Sequence, residues 1–305
     1  MLFYIVIPVV LGLVLAIPSN TCIVMGNLDI IRKKGKLSPS DVIFLGKGIV
    51  NILLQCLFAL KGMFFHLPSA VLSYTHVYLF VIKLTYFLTY YNFWLTFWLS
   101  AHYCTSITNP SYGFFIWIKR IVSNFLSHLL FLTALGVFIV NVLTIGAFNG
   151  GSPIQSPENS TEISISVAMT NCHVNYYYLV PANFLGVVLP FCLSLLCLVL
   201  TFSFLLRHVW RVKNNDSGST RPNLQAHVTA LRTIFFLLLM LVSFSVSEVL
   251  SFLRKCSEIT NQISMVSWAF RLVSPSAEAV IIFQASNKLK RIILRRFWTR
   301  SSLTP

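Results

Sequence analysis

Residues 176–206 read YYYLVPANFLGVVLPFCLSLLCLVLTFSFLL, a run without a single charged side chain. An α-helix crosses a bilayer core about 30 Å thick with roughly 20 apolar residues. This run is therefore long enough and apolar enough to cross a membrane. It lies within a longer stretch, from Arg120 to Arg207, that has no Lys or Arg between its ends. The pattern predicts a membrane-spanning helix.

The composition of the whole chain agrees with that prediction. Of its 305 residues, 56% are hydrophobic and only 10% are charged, against about 25% charged residues in an ordinary soluble domain. The mean hydropathy is +0.77. A soluble fold of this composition would expose large apolar patches and aggregate. Soluble enzymes and nucleic-acid-binding modules are therefore largely excluded, although the net charge is +15.

Seven segments reach membrane-spanning length. The first is expected to be a true span and not a cleaved signal peptide, because it has no basic n-region and no evident A-x-A cleavage site. We predict an all-α membrane protein, with residues 1–305 forming a single seven-transmembrane-helix domain. The predicted spans are Leu2–Asn27, Asp41–Phe64, Val77–Ser106, Ile121–Phe148, Tyr176–Leu206, Ala226–Phe252 and Ile263–Ala285.

The distribution of Lys and Arg predicts the direction of the spans. Of the 23 basic residues, 16 fall in alternate connections and in the C-terminal tail, and a seventeenth, Arg232, lies near the inner end of the sixth span. Loops that stay in the cytoplasm carry such an excess. We therefore expect an extracellular N-terminus and a cytoplasmic C-terminus, and an odd number of spans satisfies both.

The longest connection, residues 149–175, lies outside in this topology. It contains the sequon Asn159-Ser160-Thr161, which makes Asn159 an expected glycosylation site. A second sequon, at Asn215, lies on the cytoplasmic side and is expected to stay unmodified. Cys172 and Cys256 fall in outer segments, and the sequence leaves open whether their Cα atoms approach closely enough for a disulfide.

Several function classes lack their motifs in this chain. There is no H-E-x-x-H, paired Asp or G-x-S-x-G, so we expect neither catalysis nor a cofactor or metal. A transporter would often show two similar halves, and no internal repeat is visible. Seven spans with a basic inner face are typical of a G-protein-coupled receptor, and a small-solute transporter or channel is the alternative from a different class. The rhodopsin-like motifs are also missing, since the third span ends in Tyr103-Cys104-Thr105.

Two longer stretches carry a family resemblance. Residues 99–111, LSAHYCTSITNPS, are similar to the run L-S-x-x-Y-x-x-K-I-A-N-F-S of the bitter taste receptors, and residues 226–233, AHVTALRT, are similar to their A-H-x-x-A-L-K-T. Lys288-Leu289-Lys290 matches the family's K-L-K after the seventh span. The chain thus resembles the taste receptor type 2 family over most of its length, and vomeronasal type 1 receptors are the nearer alternative.

The resemblance implies a chemosensory receptor in the plasma membrane of sensory cells. Such a receptor binds small, largely apolar molecules from the extracellular side and activates a heterotrimeric G protein of the gustducin or inhibitory type. The chain also departs from the family pattern. Asn51 stands where the family carries an Arg, Ser274 and Glu278 stand where it usually has two His, and Thr89 falls where many members have a ligand-contacting Asn.

The outer halves of the third and fifth to seventh spans are rich in aromatic residues. A small-molecule pocket needs aromatic walls and a few polar anchors, whereas an interfacial aromatic belt is the alternative interpretation. We expect Glu248 near the outer mouth, facing a ligand cation or Arg254. The candidate ligand-binding residues are Tyr86, Thr89, Tyr90, Phe184, Phe244, Glu248, Trp268 and Arg271.

Polar groups inside the spans predict a second set of functional residues, because they are costly in lipid and face the bundle interior. We expect Asn20, Asn51 and Ser100 to link the first three helices by hydrogen bonds. Arg271 is expected to pair with a carboxylate, either as a static ion pair or as a switch, whereas Lys47 and Lys61 are expected to snorkel. The candidate activation network comprises Asn20, Asn51, Ser100, Tyr103, Pro275 and Glu278.

The cytoplasmic surface is predicted to be basic. Residues 288–298 form an expected short amphipathic helix whose cations meet anionic membrane lipids. The G protein is expected to contact the inner cleft beside His208, His227 and Arg232.

The predicted topology has a direct test. An N-terminal epitope should be labelled by antibody on intact cells, and a C-terminal epitope only after permeabilisation. Asn159→Gln should abolish the mobility shift that peptide N-glycosidase produces, and Asn215→Gln should leave it unchanged, because only the outer side meets the glycosylation machinery. Labelling of the C-terminal epitope on intact cells would contradict the topology.

Overall fold

The computed structural model describes residues 2–35, 37–64, 75–107, 113–148, 176–215, 221–256 and 261–285. These residues form seven helices and no strand. The helices are α1 Leu2–Lys34, α2 Pro39–Phe64, α3 Thr75–Ile107, α4 Gly113–Phe148, α5 from Tyr176–Asn183 through Leu189–Asn215, α6 Arg221–Cys256 and α7 Asn261–Ala285. The prediction of an all-α, seven-helix bundle is confirmed.

Membrane crossing is supported by length and composition. Five helical segments of the described chain are long and apolar enough to span a bilayer, and they lie in α1, α2, α4, α5 and α6. The other two helices, α3 and α7, carry most of the buried polar contacts described below. Several helices extend a turn or more beyond the predicted spans, because helical hydrogen bonding continues past the apolar part of the sequence.

The connection between α1 and α2 has clear local causes. Gly35 follows α1 with a φ of 67°, and its amide donates to the carbonyl of Ile31 at 2.8 Å. This is the left-handed residue that commonly ends a helix. Next, the amide of Asp41 donates to Ser38 Oγ and the amide of Ser38 donates to Asp41 Oδ2, each at 3.4 Å. Ser38 and Asp41 thus form a capping box that starts α2, with Pro39 at its first position.

The helices pack as a ring. Neighbours along it are α1 and α2, α2 and α4, α4 and α5, α5 and α6, α6 and α7, and α7 and α1, while α3 contacts α2, α4 and α5 from within. Two apolar clusters fill the bundle. Leu95 and Leu99 on one face of α3 belong to the first cluster, and Tyr90 and Phe93 belong to the second. The side chains of α3 therefore join both halves of the core.

One turn of α5 departs from α-helical geometry. Pro181 lies inside the helix, and residues Phe184–Val188 form a π-helical turn in which the amide of Leu189 donates to the carbonyl of Phe184. Such turns insert one extra residue into a helix. Here the turn places Gly186 directly against the ring of Tyr90 on α3, where a Cβ atom would collide with three ring atoms. Tyr90 is 1% exposed, so the ring has no room to retreat.

The close contact between Gly186 and Tyr90 predicts a sharp position dependence for glycine substitution. Gly186→Ala should destabilise the protein by about 1–3 kcal/mol, the usual cost of overpacking, measured as a lower melting temperature in detergent. Gly136→Ala is the matched control, because a Cβ at Gly136 meets nothing within 4 Å. That control should be neutral or slightly stabilising, since Ala favours helix over Gly. Equal melting temperatures for both variants would contradict the contact.

Candidate functional site

A charged side chain lies at the centre of a buried polar network. Lys47 of α2 is fully buried, and its Nζ lies 2.7 Å from Glu278 Oε1 of α7. Nζ also donates to Asn92 Oδ1 at 3.0 Å and to Thr96 Oγ1 at 2.8 Å, both on α3. An ammonium group has three N–H donors, so these three contacts use all of them.

The same network continues from Glu278 to α1. Asn51 of α2 donates through Nδ2 to Glu278 Oε2 at 3.1 Å and to Asn20 Oδ1 at 3.3 Å. In turn, Asn20 Nδ2 donates to the carbonyl of Pro275 at 3.2 Å. We call the following residues the polar network: Asn20, Lys47, Asn51, Asn92, Thr96, Pro275 and Glu278. It joins α1, α2, α3 and α7.

Two sequence-based expectations are corrected here. Lys47 does not snorkel, because its whole side chain is enclosed and its ammonium group is paired. Ser100 does not link α3 to its neighbours, because its hydroxyl donates to the carbonyl of Thr96 in its own helix at 2.8 Å. The third helix joins the network through Asn92 and Thr96 instead. Lys61, in the last turn of α2, is partly exposed.

A second ion pair lies two helical turns away along α7. Arg271 Nη2 donates to Glu248 Oε2 of α6 at 2.5 Å. The side chains of Arg271 and Glu248 are only 15% and 9% exposed, so the bundle shields the pair from its surroundings. Arg271 is thus paired with a carboxylate, as expected. The ion pair between Arg271 and Glu248 connects α7 to α6, and the ion pair between Glu278 and Lys47 connects α7 to α2.

Aromatic side chains lie beside this second pair. Phe244, one turn from Glu248 on α6, stacks on Phe93 of α3 with ring centroids 5.0 Å apart. Tyr90 also lies on α3, and its ring centroid is 5.8 Å from that of Tyr86. We call Tyr86, Tyr90, Phe93 and Phe244 the aromatic group.

Other predicted site residues lie in different places. Thr89 is buried on α3, and Tyr103, farther along that helix, packs against both apolar clusters. Phe184 is 53% exposed on the π-helical turn, so its side chain is not enclosed with the aromatic group. Arg232 is exposed on α6, with its guanidinium over the ring of Phe236.

Some predictions fall outside the described residues or side chains. Asn159, Cys172 and the segment 288–298 lie outside the described ranges, and the side chains of Cys256, Arg254, Trp268, His208 and His227 are likewise not described.

Sequence reasoning missed Lys47, although a signal was present. Lys47 lies eight residues after the start of α2 at Pro39, or about 12 Å along the helix, and Glu278 lies seven residues before the end of α7 at Ala285, or about 10 Å. The start of α2 and the end of α7 are at the same end of the bundle, so the two charges share one depth. Comparing these depths would have made Glu278 a candidate partner for Lys47.

The arrangement suits binding and conformational change. Within the described residues, no group of three or more His, Cys, Asp or Glu is placed to hold a metal ion. The polar side chains instead form paired contacts between helices. Each ion pair can be closed or separated, and these two states differ in free energy. A ligand or helix movement that changes the distance between the two charges therefore changes the population of the helix arrangements.

Comparison with known proteins agrees with the geometry. The model of the family described as taste receptor protein (TAS2R) matches residues 1–301. The human taste receptor type 2 member 9 is 26% identical over 287 residues, covering 93% of this chain and 89% of the relative. Human taste receptor type 2 member 4 is 25% identical over 297 residues, covering 95% of each. The chain therefore belongs to the taste receptor type 2 family of G-protein-coupled receptors.

Proposed function

We propose that this receptor binds small, largely apolar bitter-type molecules from the extracellular side and activates a heterotrimeric G protein in chemosensory cells. The observation that carries this proposal is the Glu248–Arg271 pair beside the aromatic group. It combines apolar walls with a small number of polar anchors, which is the usual composition of a small-molecule site.

The polar anchors have capacity for a ligand. Tyr90 Oη and Arg271 Nε are buried, and neither has a hydrogen-bond partner within the part of the chain that the structure describes. A ligand with a hydrogen-bond acceptor would satisfy them. Because Glu248 and Arg271 neutralise each other, the site favours neutral molecules over strongly charged ones. Thr89 and Trp268 are proposed to extend the site along α3 and α7.

The opposite end of the bundle is proposed to meet the G protein. Basic residues concentrate there, and we call it the basic end; its described members are Arg32, Lys33, Arg120, Arg207, Arg211 and Arg232. Positive charge at this end agrees with a cytoplasmic location. We propose that His208 and His227, which fall on helices reaching the same end, contribute to the contact, and that ligand binding shifts the population of two helix arrangements.

A functional screen tests the proposal. Cells expressing the receptor with a promiscuous G protein should give calcium responses to some members of a panel of bitter compounds. Silence across the panel, with surface expression verified, would contradict the proposed ligand class and coupling.

Variants of the site sharpen that test. The double variant Glu248→Leu/Arg271→Met removes both charges together and avoids leaving one buried and unpaired. We expect it to raise the agonist concentration for half-maximal response at least about tenfold, equivalent to about 1.4 kcal/mol. Trp268→Ala should act in the same direction.

Phe131→Ala is the matched control, because Phe131 on α4 is 73% exposed on the outside of the bundle. It removes an aromatic ring of comparable size that faces away from the site, so agonist potency should not change. Unchanged potency in both site variants at normal surface expression would remove these residues from the ligand site.

A further inference from the structure

We infer that Lys47 is a positioning residue for activation, and that its contact with Glu278 holds α2, α3 and α7 in the resting arrangement. This inference rests on the proposed receptor function and adds a residue and a mechanism to it.

The contact set of Lys47 leaves little freedom. Its three donors point to one acceptor on α7 and two on α3. A shift of α7 against α2 by more than about 1 Å takes a hydrogen bond beyond its usual length. The separated charges would then lie in a region where water is scarce, and a charged group at that depth is costly. The contacts therefore favour the arrangement in which they are all made.

We call the contact between Lys47 and Glu278 the lock, and Glu278 connects it to the rest of α7. Both carboxylate oxygens are used, Oε1 by Lys47 and Oε2 by Asn51. Three residues earlier on the same helix, the carbonyl of Pro275 accepts from Asn20. Four residues before that, Arg271 pairs with Glu248 beside the aromatic group. A movement of α7 that starts at Arg271 therefore reaches Glu278 through one continuous helix.

Loss of the lock should raise signalling without agonist. Lys47→Met leaves the Glu278 carboxylate without its cation. A buried, unpaired carboxylate is costly, so the variant favours helix arrangements in which α7 moves and Glu278 becomes hydrated. We expect agonist-independent G-protein activity per surface receptor to rise at least about threefold. Lys83→Met is the matched control, because Lys83 is partly exposed on α3 and lies outside the polar network; its basal activity should equal that of the unmodified receptor.

The exchanged pair Lys47→Glu/Glu278→Lys separates a lock from a general loss of packing. Thr96 can rotate its hydroxyl and Asn92 can turn its amide to donate to a carboxylate at position 47. The buried Asn51 Oδ1, which has no partner among the described residues, can accept from the new ammonium group. The double variant should return basal activity to within about twofold of the unmodified receptor, although Glu278→Lys alone should resemble Lys47→Met.

A second measurement does not depend on G-protein coupling. Spin labels carried by non-canonical residues at the exposed positions Ile49 on α2 and Val280 on α7 report the distance between these helices in the purified full-length receptor. The unmodified receptor should give one narrow distance distribution, Lys47→Met a second population, and the exchanged pair one population again. This result would support the lock even if the proposed ligands and G protein proved wrong.

Two outcomes would overturn the inference. The first is wild-type basal activity in Lys47→Met at verified surface expression, together with an unchanged distance distribution. The second is an exchanged pair whose distances and basal activity are no closer to the unmodified receptor than those of either single variant. Should Lys47→Met fail to reach the surface, Lys47→Gln, which also removes the charge, replaces it with the same two readouts, and an unchanged distance distribution together with wild-type basal activity in Lys47→Gln overturns the inference in the same way.

Discussion

A lysine ammonium group in a membrane interior must find its hydrogen bonds within the protein, because lipid offers none. Lys47 meets this requirement with three acceptors on two other helices. The positions of α2, α3 and α7 relative to one another are therefore set by one nitrogen atom. Asn51 and Asn20 extend the same constraint to α1. Apolar packing alone would allow these helices to slide and rotate, whereas directional contacts between polar groups specify one register.

The fold was predictable because its signals are strong and independent. The long apolar runs determine where helices form, and alternating basic connections predict their direction. The ends of the helices were harder to predict from the sequence. A capping box such as Ser38 with Asp41 marks a start in the sequence, but α4 and α6 begin before the apolar segments, where hydropathy carries no information. The π-helical turn in α5 was not predicted either, since neither hydropathy nor basic residues mark the one extra residue that the turn contains.

The site was predictable in its residue types and less so in its pairings. Arg271 and Glu248 were both candidates, but a charge on α7 can reach α6 or α2 depending on helix rotation, which the sequence does not specify. The two departures from the family pattern at Asn51 and Glu278 are direct neighbours in the structure, 3.1 Å apart. Lys47 lies one turn from Asn51, so the positive charge expected at Asn51 is supplied from the next turn of the same helix. The chain thus departs from the family pattern at Asn51 but has a cation one turn away on α2, paired with Glu278 of α7.

The π-helical turn at Phe184–Val188 also has a consequence for how α5 changes in sequence. One surplus residue rotates everything before the turn by about 100° relative to a regular helix. Deletion of a single residue there would convert the turn to α-helix and rotate Tyr176–Asn183 around the helix axis without altering any side chain of that segment. Insertion or deletion of one residue at this point would therefore change which side chains of α5 face Tyr90, whereas a substitution changes one side chain at a time.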